Sequence, residues 1–286
     1  MTFELRKIEN VVEVYENGEL VSKYLFNNRK QFKPYFYPLN APGGLCVTED
    51  GPEDHVHHRS MWTAHGDINS IDFWTETSES GRQVVKAVSI EDSENHGVVK
   101  SDEVWIAKTG SPVVDVFRRF TFRKTTNGLR IVDVEVDLKA SYGDVKLGDT
   151  KEGGIISLRV APSMRGITGG TIRNSRGGVG EEECWGKRSE WCDYTGSVYG
   201  KTVGITVFDH PSNLRHPTYW HVRAYGLFTA NPFGISYFEE DKSLDGSLTV
   251  GKGDYLRFKY RVLVHLGVID SESLNKLFTE YCKVGG

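Results

Sequence analysis

The stretch that decides how the chain reads is residues 113–140, VVDVFRRFTFRKTTNGLRIVDVEVDLKA. In its second half Val132, Val134, Val136 and Leu138 alternate without a break with Asp133, Glu135, Asp137 and Lys139. A period of two puts each set on its own face of a strand, whereas a helix would scatter both sets around its axis. Thr126-Asn127-Gly128 joins this segment to residues 113–122. Asn and Gly accept the positive φ of a two-residue hairpin turn, so the two segments are predicted to pair as a β-hairpin.

The same rhythm extends in both directions. Residues 3–8, 11–15, 20–26 and 35–39 alternate, with Asn17-Gly18 as a second hairpin turn. Downstream, residues 83–91, 98–108, 153–160, 198–208 and 256–264 read as strands. Residues 165–190 are Gly-rich and aperiodic, which predicts a long loop or lid. Only the C-terminus reads as helix: Asp270 is placed to cap it, and Leu274, Leu277, Phe278 and Tyr281 recur at helical spacing. The expectation is an all-β chain, a single β-sandwich domain over residues 1–286. It consists of two large antiparallel sheets packed face to face, with a short C-terminal helix.

Composition narrows the function. The chain has 286 residues and a formal net charge of −4, which argues against a phosphate-neutralising nucleic-acid surface. No run approaches the roughly 18 apolar residues of a membrane span, and the N-terminus lacks a signal-peptide core. Cys46, Cys184, Cys192 and Cys282 are scattered without CxxC spacing. A cytoplasmic protein with reduced thiols is expected. No GxGxxG opening a helix, no GxxxxGK[ST] and no GxSxG occurs, which removes the common nucleotide and serine-hydrolase signatures.

Chemistry-bearing residues concentrate in residues 33–74, where His55, His57, His58 and His65 fall within eleven residues alongside Asp54, Arg59, Asp67, Trp62 and Trp74. In an extended segment His55 and His57 would share a face and His58 would point away. Three readings are open for them: a polar-substrate site, a metal site completed by a carboxylate from elsewhere, or a hydrogen-bonded structural loop. Aromatic platforms mixed with Asp, Asn, Arg and His suit sugars, although each aromatic alone fits a core equally well. A second cluster, residues 215–234, repeats these residue types through His221, Arg223 and Asn231, as a second wall of the same pocket or as a decorated edge strand. Glu152, at the mouth of a strand, is either a pocket base or a solvated strand end. Asp193 is a further candidate carboxylate. Glu181, Glu182 and Glu183 read as a solvated charge run.

KPYFYPL (33–39), TEDGPEDHVHHRSMWTAHGDIN (48–69), KEGGIISLRVAP (151–162), WGKRSEWCDYTG (185–196) and FDHPSNLRHPTYWHVRAYGLFTANPFG (208–234) together resemble the bacterial PmoA-type family, which carries the label "methane oxygenase". That family is similar to the galactose-mutarotase-type β-supersandwich proteins. The resemblance implies work on carbohydrates or their oxidised derivatives, with a His acid and a carboxylate base across a cleft. It also implies a catalytic set drawn from His57, His58, Glu152 and His221, and substrate contacts from His55, Arg59, Trp62, His65, Asp67, Asp193, Arg223 and Asn231. The expected ligand is a small-molecule carbohydrate, with no cofactor, no nucleic acid and no membrane. Acid–base chemistry on a sugar (epimerisation, ring opening or elimination) leads. A non-catalytic carbohydrate-binding or sensing protein and a metal-dependent oxidase or hydrolase built on His55, His57 and another His are the alternatives.

Overall fold

The predicted hairpin lies inside an eight-stranded antiparallel sheet. A computed structural model describes residues 2–28 and 30–283. The strand Leu129–Lys139 pairs on one side with Pro112–Thr126 and on the other with Tyr255–Leu266. Its residues alternate between buried and half-buried along the whole length, as the period of two requires. Asn127 and Gly128 have φ of 51° and 74°, the left-handed pair of a type I′ turn. The sheet runs Thr171–Asn174, Trp191–Val198, Lys201–Asp209, Tyr255–Leu266, Leu129–Lys139, Pro112–Thr126, His96–Ile106, Arg82–Asp92.

A nine-stranded antiparallel sheet faces it, in the order Phe3–Ile8, Val11–Glu16, Glu19–Leu25, Tyr35–Ala41, Met61–His65, Gly153–Arg159, Leu227–Asn231, Tyr219–Val222, with Leu45–Cys46 added beside Tyr35–Ala41. One apolar core fills the space between, drawing Val12, Phe36, Leu158 and Phe228 from this sheet and Val99, Phe120, Val134 and Val262 from the other. A polar connection crosses it. Tyr24 of the nine-stranded sheet donates to Ser101 Oγ at 2.8 Å, and Arg118 forms an ion pair with Glu103, both fully buried.

Both sheets also bury part of their outer faces. The helix Ser271–Lys283 lays Leu274 and Tyr281 over Trp191, Phe208 and Leu263 of the eight-stranded sheet. Asp270 caps it as expected, accepting the Ser273 N–H at 2.9 Å. On the outer face of the nine-stranded sheet a smaller cluster of Tyr35, Trp62, Ala64, Trp74 and Leu227 supports the site described below. Among the described residues no helix is long and apolar enough to cross a membrane.

Three expectations change. Residues 165–190 are not a free lid: Thr171–Asn174 forms an edge strand and Gly180–Cys184 a short helix, both obscured in sequence by neighbouring glycines. The strand expected at residues 198–208 is Lys201–Asp209, and Trp191–Val198 before it is a further strand that the pattern hides, because it is buried on both faces for most of its length and shows no alternation. Helix is also present outside the C-terminus, in Gly180–Cys184 and Ile235–Phe238, both too short for periodicity to reveal.

Candidate active site

The site grows from Met61–His65, a central strand buried at every residue. Trp62 points to the outer face, where it packs with Trp74 at 5.5 Å between ring centroids. Residues 52–58, which lead into this strand, are not extended. The His55 N–H donates to the Pro52 carbonyl at 3.1 Å and the His58 N–H to the His55 carbonyl at 2.9 Å, making successive turns. His55 and His57 still meet, edge-on at 5.9 Å, but His58 does not point away as expected: it joins them in one group of rings. His55 stacks on His58 with centroids 4.5 Å apart and planes at 11°, and on Tyr225 at 4.8 Å and 10°. His57 stands edge-on to His58 at 4.7 Å, and His58 lies over Trp62 at 5.5 Å.

Beneath this group of rings is Arg159, whose side chain is fully buried. It donates two hydrogen bonds to the Asp54 carboxylate at 2.7 and 2.8 Å, and a third to His58 Nδ1 at 3.2 Å. Guanidinium has no acceptor, so His58 Nδ1 must present its lone pair and the proton must sit on Nε2. Burial is the largest influence and opposes the charge on Asp54, but the hydrogen bonds and charges of Arg159 and His55 together outweigh it and hold the carboxyl down at about 2.

The opposite wall comes from Tyr219–Val222 and the loop before Gly153–Arg159. His221 is buried, and its Nδ1–H donates to the Lys151 carbonyl at 2.8 Å. A carbonyl only accepts, which leaves Nε2 of His221 as a lone-pair acceptor. Asn231 secures the same loop: its amide donates to the Thr150 and Lys151 carbonyls at 2.9 and 3.1 Å, while its Oδ1 accepts the Phe233 and Gly234 N–H groups. That loop presents Glu152.

These walls enclose a cleft of about 420 Å³ lined by His55, His57, His58, Trp74, Thr75, Lys151, Glu152, His221, Arg223 and Tyr225. Its electrostatics are uneven. Burial, aided by the Lys33 cation, lowers His57 to about 4. Burial likewise lowers His221 to about 4, against the favourable Lys151 carbonyl, and pushes His58 far below the ordinary imidazole value. All three are neutral at pH 7. Glu152 moves the other way: burial raises its carboxyl, and Lys151 Nζ stands 3.9 Å from it. A neutral imidazole is a hydrogen-bond partner and an electrophilic N–H rather than an imidazolium acid.

The sequence candidates divide accordingly. His55, His57, His58, Glu152, His221 and Arg223 line the cleft. Trp62 lies beneath it. Arg59 instead pairs with Glu76 and with Asp50 at 3.1 Å, joining two loops behind the site. His65 is fully buried, bonded through Nε2 to the Gly148 carbonyl at 3.0 Å and packed on Phe233. Asp67 accepts the Ser70 N–H in a turn, and Asn231 spends its amide on the loop. These four hold loops and turns in place and are not cleft-facing groups. Asp193 belongs to the other sheet, where it pairs with Arg173 at 2.6 Å and accepts from Thr195 and Thr206. Its flanking Trp185 and Trp191 give it the look of a site residue, but strand position places it elsewhere.

Tyr225, Lys151, Arg159 and Glu181 escape the sequence reading. Arg159 has a readable signal, a lone charge inside the apolar run of residues 153–160. Glu181 is not a solvated charge: it pairs with Arg223 at 2.9 Å and accepts the Ala224 N–H, bracing the cleft wall. As for metal, the imidazoles pack ring against ring, and among the described residues no three His, Cys, Asp or Glu side chains are grouped to hold an ion.

The fold and cleft define a two-sheet antiparallel β protein with a histidine-lined pocket on the outer face of one sheet. The chain belongs to a family of unknown function, DUF6807, whose model matches residues 11–279. Comparison with curated proteins returns no match.

Proposed function

We propose that the cleft binds a hydroxylated, carbohydrate-type molecule and catalyses acid–base chemistry on it, next to an anomeric or carbonyl carbon. The observation that carries this reading is the pairing of one carboxyl raised by burial, Glu152, with several neutral imidazoles in a single cleft. Separation of titratable groups into a proton carrier and neutral hydrogen-bonding partners is the pattern of proton-transfer sites. Glu152 takes the proton. The Nε2 lone pair of His221 orients a substrate hydroxyl, and the Nε2–H of His58 stabilises negative charge developing on oxygen. Half-buried Tyr225 supplies apolar surface for a sugar's C–H face, and the buried Trp74 backs the cleft wall. The cleft volume falls in the range of small-molecule sites. Resemblance to the PmoA-type and galactose-mutarotase-type proteins points to the same substrate class.

The test is turnover of a panel of monosaccharides, uronates and keto-sugars by the wild-type chain and by Glu152→Gln and His221→Ala. The reading expects a responsive sugar whose conversion both substitutions suppress. Full turnover in both variants would overturn it.

A further inference from the structure

The cleft does not end at Tyr225. The same tyrosine lines a larger and more open groove of about 690 Å³ on its other side, bordered by Glu49, Glu53, Asp54, Pro162, Arg165 and Ile167. Tyr225 is half-buried, and its hydroxyl has no hydrogen-bond partner among the described residues. A phenol so placed at the junction of two cavities is available to an oxygen that bridges two ligand units.

The two cavities differ in character. In the inner cleft, Lys151 and Arg223 accompany Glu152 and the histidines. In the outer groove the charges largely cancel. Glu49 pairs with Arg165 at 2.5 Å, and Asp54 pairs with Arg159 at 2.7 Å. Glu53 remains exposed, which disfavours an anionic occupant. Ile167, 68 % exposed, and the exposed Pro162 offer an apolar edge that a folded chain does not need for its core. Paired carboxylates beside an apolar edge suit an uncharged sugar ring, with its hydroxyl rim on the acids and its C–H face on Ile167 and Pro162.

We propose that the two cavities are adjoining subsites meeting at Tyr225, so that the ligand is a glycoside of at least two units. The reacting unit lies against Glu152 and His221, and an uncharged second ring lies against Ile167 and Arg165. This rests on the carbohydrate reading of the inner cleft. Because each cavity alone has the volume of a small-molecule site, a single monosaccharide leaves the outer groove empty.

The experiment is isothermal titration calorimetry of the intact chain with glucose, galactose, mannose, xylose, glucuronate and galacturonate. Each is offered as its methyl glycoside and as a disaccharide carrying that unit with a neutral second sugar. The proposal expects the disaccharide of the preferred unit to bind at least tenfold more tightly than its methyl glycoside, and expects Ile167→Asp to collapse that ratio toward one. Equal affinity for the two forms, or Ile167→Asp weakening both in proportion, overturns the second subsite while the inner site stands. If no member of the panel binds, the carbohydrate reading itself fails and the subsite falls with it.

Discussion

Arg159 Nη1 lies 3.2 Å from His58 Nδ1, and this contact between a central strand and the histidine-rich turns fixes which nitrogen of His58 carries the proton. The same guanidinium binds Asp54, so one buried side chain orders both the ring and the turn that bears it.

Arg159→Met removes both connections. The expected result is loss of the single Nε2–H tautomer, read as a change in the His58 ring nitrogen shifts by NMR. Stability falls by about 1–3 kcal/mol in urea unfolding, the usual scale for hydrogen bonds to charged groups; Asp54 is partly solvated, which keeps the loss at this level. An unchanged His58 spectrum would remove Arg159 from this role.

Glu152→Gln separates catalysis from folding. The side chain is 44 % exposed, so unfolding stability should stay within about 0.5 kcal/mol of wild type. Turnover should drop by ~10²–10⁴-fold, the range for a lost acid–base group. In the wild type, kcat/KM should fall as pH drops through the raised Glu152 value, because the base must be ionised. That acidic limb should be absent from whatever activity the Glu152→Gln variant retains.

Stability itself should depend on pH through His65. Burial holds it down at about 4 in the folded chain, against an ordinary value of 6.5. Between those values the unfolded chain binds more protons, so stability is complete above about pH 6.5 and is lost as pH falls toward 4. A difference of this size is worth about 3 kcal/mol. His57, His58 and His221 are lowered in the same direction, so His65→Gln should reduce the slope of the unfolding free energy across that window by one histidine's share rather than abolish it.

The buried Arg118–Glu103 pair gives a prediction for the fold alone. Arg118→Met strands a carboxylate between the sheets and should cost about 3–5 kcal/mol. Adding Glu103→Leu should recover much of that loss, because it removes the stranded charge. Equilibrium denaturation of the single and double variants measures both.

The architecture is legible where one face of a strand meets water. Leu129–Lys139 keeps its alternation because its outward residues are half-buried, and the two Asn-Gly turns announce the required backbone. Met61–His65 and Trp191–Val198 defeat the same method, since burial on both faces removes the polar partner set. In the site, residue types locate the walls but not the partners. Nothing local distinguishes Asp193, bound to Arg173 in the far sheet, from Glu152 in the cleft; only strand order separates them. His65 and Asn231 likewise have the composition of site residues, yet their side chains hold backbone carbonyls.

The most direct test of acid–base catalysis at Glu152 is a proton NMR time course of the sugar panel with catalytic amounts of wild-type protein and of Glu152→Gln. The prediction is that at least one sugar changes its anomeric or carbonyl-adjacent signals with the wild type and does so at least a hundredfold more slowly with the variant. A sugar that binds saturably while its spectrum stays unchanged, or one converted equally fast by both proteins, would contradict it.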